Sequence, residues 1–270
     1  MKKRYSLVKI VFFALLLPLF SAAQNDSSHI FISFDGAKIY YEVKGEGFPV
    51  LLLHGFTNNG QSWKKGMLYN DLLKAGYKVI TPDMRGNGQS DKPHDDLSYA
   101  NDAEAKDMMR LISALGIIKY NVVGYSRGSI ITARLLVLDN RVNKAVMGGM
   151  GTDFTNPEWP RRLMFYHLLS GDTSIKGMDG FMQYVKQSGF DQTALAMQQK
   201  YQPSTSKEDL GVVTQQVLVV CGDNDLDNGN AQDLAKLFAH ATFAQVPGDH
   251  NHAAQTKEFS EAVVMFFNEK

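Results

Sequence analysis

A chain of 270 residues, 44% of them apolar, holds enough nonpolar side chains for a sizeable core and is too hydrophobic to stay disordered. Its 28 basic and 28 acidic residues cancel, so no basic footprint for nucleic acid is present. The lone cysteine, Cys221, excludes an intrachain disulfide; it ends an apolar run and reads as a small core residue rather than a catalytic thiol.

In chain order, a positive stretch from Lys2 to Lys9 comes first, then an apolar run over residues 10–20, then Ser21-Ala22-Ala23. This is the pattern of a secretory signal over residues 1–23 with cleavage after Ala23, and it predicts export to the periplasm or the medium. The apolar run is short of the roughly 20 residues that span a bilayer comfortably, so no stable membrane span is expected after cleavage; an uncleaved anchor is the alternative. Cleavage removes Lys2, Lys3, Arg4 and Lys9 and no acid, which shifts the formal charge from zero to −4. A mildly acidic body of this kind does not suggest binding to an anionic surface.

Residues 24–270 then read as one domain. Strand-like runs at 29–34 and 38–43 flank Asp35-Gly36, a hairpin signal. Residues 49–53 are apolar throughout, as a strand buried on both faces should be. A helix over 63–75 stopping at Gly76, a strand at 78–81, a polar loop over 83–98, a helix over 100–115 stopping at Gly116, a strand through Val122-Val123, a helix over 128–138 and a strand at 144–147 follow. The alternation resumes at 217–220, 231–239, 242–246 and 256–267. Alternating strands and helices with continuously apolar strands predict an α/β fold, a mainly parallel sheet with helices on both faces. Over about 152–214 the alternation stops, and the segment is rich in Met, Phe and Tyr. It reads as a small cap of two or three helices inserted between two sheet strands, most of its aromatics forming the cap's own core and a few lining an apolar pocket.

The most informative motif is Gly124-Tyr125-Ser126-Arg127-Gly128, which follows the apolar strand through Val123 and opens a helix. Glycines at 124 and 128 allow a tight turn and close approach of neighbouring elements, so Ser126 is held at a sharp strand-to-helix bend beside the first helical amides. A hydroxyl is a poor nucleophile near neutrality and needs a base, and the base needs an orienting carboxylate. Histidine suits the base because its ordinary pKa lies near neutrality. His29, His94, His167 and His240 lie in a strand, a charged loop, the cap and a helix end, and read as structural or solvated. That leaves His250 and His252 in the loop after the last strand. His250 is favoured, with His252 placed at the start of the last helix. A metal site from Asp249, His250 and His252 lacks any further ligand cluster. Of the acids past the strand at 217–220, Asp225 is favoured, Asp223 and Asp227 read as turn residues, and Asp153 is a weaker candidate at the previous strand end.

The order Ser126, Asp225, His250 resembles that of the α/β-hydrolase fold family, of the capped serine esterase and C–C hydrolase type, and the resemblance covers nearly all of residues 24–270. His54-Gly55-Phe56 resembles the family's oxyanion loop, residues 83–90 the loop after its fourth strand, and Gly222-Asp223-Asn224-Asp225 its acid loop. The resemblance implies an eight-stranded sheet and a Ser126–His250–Asp225 triad acting through an acyl-enzyme on a small-molecule acyl substrate. It implies an oxyanion hole from the backbone N–H groups of Phe56 and Arg127, braced by His54, and it needs no metal or organic cofactor. The Arg85 side chain is expected to tie loops together. Arg127 and Ser129 depart from the family's pattern, and the Arg127 side chain is expected to pair with an acid rather than clamp substrate. Serine at the bend argues against the aspartate-dependent epoxide hydrolases and dehalogenases of this fold. An ester hydrolase is the leading reading; a C–C hydrolase, a perhydrolase and a non-catalytic binding protein of the same fold are the alternatives.

Overall fold

The structure, a computed structural model, describes Met1 and residues 27–269, so the expected leader over residues 1–23 lies, but for Met1, outside the described residues. Eight strands form: β1 (Ser27–Ile32), β2 (Lys38–Lys44), β3 (Pro49–Leu53), β4 (Lys78–Pro82), β5 (Tyr120–Tyr125), β6 (Val142–Gly148), β7 (Gln216–Gly222) and β8 (Ala241–Val246). They make one sheet in the order β1-β2-β4-β3-β5-β6-β7-β8. The β1–β2 and β2–β4 pairs are antiparallel and the remaining pairs parallel. The sheet is therefore mainly parallel, as the run of apolar strands predicts.

The helices are α1 (Leu68–Lys74), α2 (Ala103–Ala114), α3 (Arg127–Leu138), α4 (Pro160–Leu169), α5 (Asp179–Gln187), α6 (Gln192–Lys200), α7 (Lys207–Gly211), α8 (Ala231–Ala235) and α9 (Lys257–Asn268). Side chains alternate across a strand, so each apolar strand feeds two cores. Leu51, Leu53, Val122, Met147 and Val219 face one core with residues of α2, α3 and α8. Val50, Leu52, Val123, Val146 and Val220 face the other with residues of α1 and α9. Burying each such side chain contributes about 1.5–3 kcal/mol, which explains why the central strands tolerate no polar alternation.

Several boundaries differ from the expected ones. The helix expected over 63–75 is split into a 3-10 turn, Gly60–Lys65, and α1, because Gly66 takes an extended conformation between them. The helix α2 starts at Ala103 rather than near residue 100, since Asn101 and Asp102 are both left-handed, with φ of 54° and 62°. The helix expected over 231–239 closes at Ala235. Between β6 and β7 lie a 3-10 turn, Thr152–Thr155, and α4 to α7, one helix more than the upper expectation. The extra one, α7, is only five residues long and is held by a capping box between Ser206 and Asp209, too short to show a periodic pattern. Among the described residues no helix is long and apolar enough to cross a membrane.

Candidate active site

The strand-to-helix bend explains why its two glycines are needed. A Cβ on Gly124 would lie 2.2 Å from the Gly128 carbonyl oxygen, and one on Gly128 would lie 2.1 Å from that of Leu53. No side chain fits either gap, so β5, α3 and the end of β3 close up around Ser126. Ser126 itself has φ 55° and ψ −118°, a conformation that costs a residue with a Cβ about 1–3 kcal/mol. Its N–H donates to the Gly148 carbonyl on β6 at 2.8 Å, which fixes the bend to the sheet.

At the same sheet edge, the loops after β7 and β8 bring two further side chains to Ser126. The Ser126 Oγ lies 2.9 Å from His250 Nε2, and His250 Nδ1 lies 2.9 Å from Asp225 Oδ2. A carboxylate only accepts, so Nδ1 carries the proton and Nε2 is free to accept from the hydroxyl. The Asp225 side chain is almost wholly buried, at 1% exposure, which protects this bond from water. Asp223 braces the arrangement from below: its Oδ1 accepts the Gly248 N–H at 2.9 Å and so ties the β7 loop to the β8 loop.

The other candidates fall elsewhere. His252 bonds Asp249 at 2.6 Å, in front of the 3-10 turn Ala253–Gln255 and not at the start of α9. Asp227 pairs with Arg161 at 3.1 Å. Asp153 lies in the Thr152–Thr155 turn. His94 pairs with Asp191 at 2.8 Å, and the His29 ring stacks on Tyr41. Asp225, Asp227 and His250 offer ligand atoms within 4.8 Å of one another, but each already has a partner: Asp225 and His250 bond one another, and Asp227 holds Arg161. Burial pushes the Cys221 thiol up to about 12, so it is no thiolate near neutrality.

The loop after β3 lies alongside Ser126, since a Cβ on Gly55 would sit 3.6 Å from Ser126 Cβ. His54 is 1% exposed and holds this loop by both ring nitrogens. Its Nε2 accepts the Met84 N–H at 3.0 Å, so Nδ1 must carry the proton, which it donates to the Gly55 carbonyl at 2.7 Å. Burial accordingly holds His54 below the ordinary histidine range. Asn87 Nδ2 donates to the Phe56 carbonyl at 2.7 Å and sets the next peptide. Across the bend, the Arg127 N–H is one of the first-turn amides that a helix leaves without an intrahelical partner.

Residues 49–173 match the sequence model described as the alpha/beta hydrolase fold. An esterase from Exiguobacterium antarcticum has a TM-score of 0.75 to this structure over 90% of this chain and 100% of its own, at 21% identity, a likeness of fold alone. The chain has the α/β-hydrolase fold. In sequence, the "Putative non-heme chloroperoxidase" of Synechocystis sp. is 39% identical over 133 residues, 48% of this chain and 44% of that one. Epoxide hydrolase 3 of Siraitia grosvenorii is 40% identical over 103 residues, 38% of this chain and 32% of its own. The chain thus spans less than half the length of these curated relatives.

Around this site, sequence reasoning passed over three supporting residues. Tyr125 Oη donates to the His250 carbonyl at 2.8 Å, and its ring packs 5.5 Å from the imidazole. Its place in the pentapeptide was the available signal. Asn228 donates to the Gly149 carbonyl at 3.0 Å beside His250, and Gln198, on α6, donates to the Arg85 carbonyl at 2.7 Å. Neither has a sequence signature, because each acts through a loop that only the fold brings near. Arg85 is fully buried and bonds Asp107, Asp35 and the Ser98 carbonyl, tying loops together as expected. A cavity of about 490 Å³ opens over Ser126 and His250, walled by Phe56 below and by Phe165, Phe181 and Tyr184 of α4 and α5 above. The Phe56, Phe165 and Phe181 rings pack in a chain, at 6.0 and 5.0 Å, and join the wall to the loop after β3.

Proposed function

We propose that this α/β-hydrolase is a serine hydrolase that cleaves a carboxylic ester or related acyl compound through an acyl-enzyme. The observation that carries the reading is the unbroken chain of contacts from Ser126 Oγ to His250 to the buried Asp225, each link 2.9 Å. Ser126 Oγ attacks the carbonyl carbon and its proton passes to His250 Nε2. The carbonyl oxygen, now an anion, accepts from the Phe56 and Arg127 N–H groups. Collapse breaks the bond to the leaving alkoxide, which takes the proton from His250. Water then repeats the sequence on the acyl-enzyme, releasing the acid and restoring Ser126. Loss of one oxyanion donor raises a barrier of this kind by about 2.7–4 kcal/mol.

An epoxide hydrolase reading suits the site less well, because the aspartate-dependent epoxide hydrolases of this fold need a carboxylate where Ser126 stands. The similarity to a chloroperoxidase-named relative favours a second reading in which hydrogen peroxide, in place of water, takes the acyl group. The leader-like residues 1–23 support export, so we place the enzyme in the periplasm or the medium.

The decisive test is Ser126→Ala against a series of p-nitrophenyl esters of rising acyl length. Wild-type protein should turn over at least one ester and react with a fluorophosphonate probe. The variant should keep its circular dichroism spectrum, lose about 10⁴-fold or more in kcat and fail to label. Unaltered turnover in the variant would remove Ser126 from the mechanism.

A further inference from the structure

Three arginines line the cavity over Ser126: Arg127, Arg161 and Arg162. Two of them already have a carboxylate. Arg127 is held by the buried Glu104, with Nε 3.2 Å from Oε1 and Nη2 on Oε2. Arg161 bonds Asp227 at 3.1 Å and lies over the Phe165 ring. Arg162 differs. Its Nη1 donates to the carbonyls of Gln199 and Lys200 at 3.0 and 3.1 Å, and its Nη2 to that of Pro157 at 2.6 Å. Its Nε–H is buried and has no partner. Carbonyl oxygens satisfy donors without neutralising charge, so the guanidinium stays a cation with no carboxylate bonded to it.

The surroundings do not supply the missing anion. Among the described residues the cavity wall has a single carboxylate, Asp227, which Arg161 holds, while Lys65 adds a further cation. Glu158 acts on Arg162 only through its field, against the opposing field of Arg127 and the larger effect of burial, and the balance holds Arg162 below the ordinary guanidinium range. A half-buried cation in the wall of a cavity, with no carboxylate bonded to it, is stabilised by an anion that enters the cavity.

We propose that the cavity takes an acyl substrate carrying a carboxylate, and that Arg162 is the residue that recognises it. The proposal rests on the serine-hydrolase reading of Ser126 and adds the substrate's charge class. It also assigns to α4 a task beyond packing, because Arg162 sits in the first turn of that helix. A purely structural role is the competitor: the carbonyls of Gln199 and Lys200 end α6, and a cation there caps that helix.

The test compares monomethyl esters of linear dicarboxylic acids, succinate to suberate, with the matching methyl ester amides, in which a neutral and nearly isosteric carboxamide replaces the carboxylate. Acid release is followed in a pH-stat. At one or more chain lengths wild-type kcat/KM should favour the carboxylate by about tenfold or more. Arg162→Gln should bring that ratio to within about threefold of unity, and Arg162→Lys, which keeps a point charge but not the planar fork, should retain part of it. A structural cap would instead lower both substrates together and leave the ratio standing, which overturns the proposal, as does a wild-type ratio near unity at every length. Calorimetric binding of the same half-esters to Ser126→Ala separates this inference from the function it rests on. Carboxylate-selective binding that vanishes in Ser126→Ala/Arg162→Gln, with no turnover or probe labelling in wild type, sustains Arg162 and sinks the hydrolase reading. Labelling and neutral-ester turnover without carboxylate selectivity does the reverse.

Discussion

Ser126 holds a left-handed backbone conformation that glycine adopts without strain, and the strain is what lifts its hydroxyl toward His250. Ser126→Ala and Ser126→Gly both remove the hydroxyl, but only glycine relieves the Cβ. Ser126→Gly should therefore be more stable than Ser126→Ala by about 1–2 kcal/mol in urea unfolding, with both inactive. Equal stability would mean that the bend stores no strain. His54 supplies a second prediction at this scale. Burial holds its folded value below the unfolded one of about 6.5, so the native state keeps it neutral while the unfolded chain takes a proton. The stability it confers is complete above about pH 6.5 and is lost as pH falls through that value toward the depressed folded one, with a slope approaching about 1.4 kcal/mol per pH unit. Urea midpoints between pH 7.5 and 5 should show this decline, and His54→Gln should flatten it.

Among elements, the connection of α2 to the first hairpin is the most exposed to a single change. Asp107 on α2 bonds the fully buried Arg85 twice at 2.6 Å and accepts the Ser33 hydroxyl as well, while Asp35 in the hairpin turn reaches Arg85 from the other side. Asp107→Ala leaves a buried guanidinium with one half-exposed acid, and should cost about 3–5 kcal/mol in urea unfolding. Arg85→Met in the same chain should recover part of that loss, since the uncompensated charge is gone. Full additivity of the two losses would show that they do not act as a pair. The hairpin and the helix were legible as separate elements, from Asp35-Gly36 and from the apolar period over 100–115. That one arginine joins them was legible only as a general expectation, because the partners stand 50 and 22 residues from Arg85.

For the whole molecule, stability is distributed unevenly between sheet and cap. The central strands are buried almost throughout, whereas α5 contributes Val185 alone as a buried residue. Amide exchange in α5 should proceed through a local opening well below the global unfolding free energy, while amides of β3 and β5 should exchange only with global unfolding. Equal protection in both would tie the cap to the sheet as one cooperative unit. An easily opened α5 would put a weakly held helix beside the cavity over Ser126, where Phe181 and Tyr184 line it.

The continuous apolar strands, the glycine-flanked Ser126 and the chain order of serine, acid and histidine are properties of local composition and spacing. The residues alone therefore determined the α/β architecture, the parallel sheet and which side chains to seek. Whether a candidate acid faces a candidate base depends on contacts far apart in the chain. Local sequence favoured Asp225 over Asp223 and Asp227 and His250 over His252, but only the tertiary structure set Asp225 2.9 Å from His250, gave Asp223 to Gly248 and Asp227 to Arg161, and turned His252 to Asp249. It also decided the fate of the arginines. Charge is visible in a sequence, but whether it is cancelled depends on a partner the fold selects, so Arg127 finds Glu104 and Arg162 meets only carbonyls.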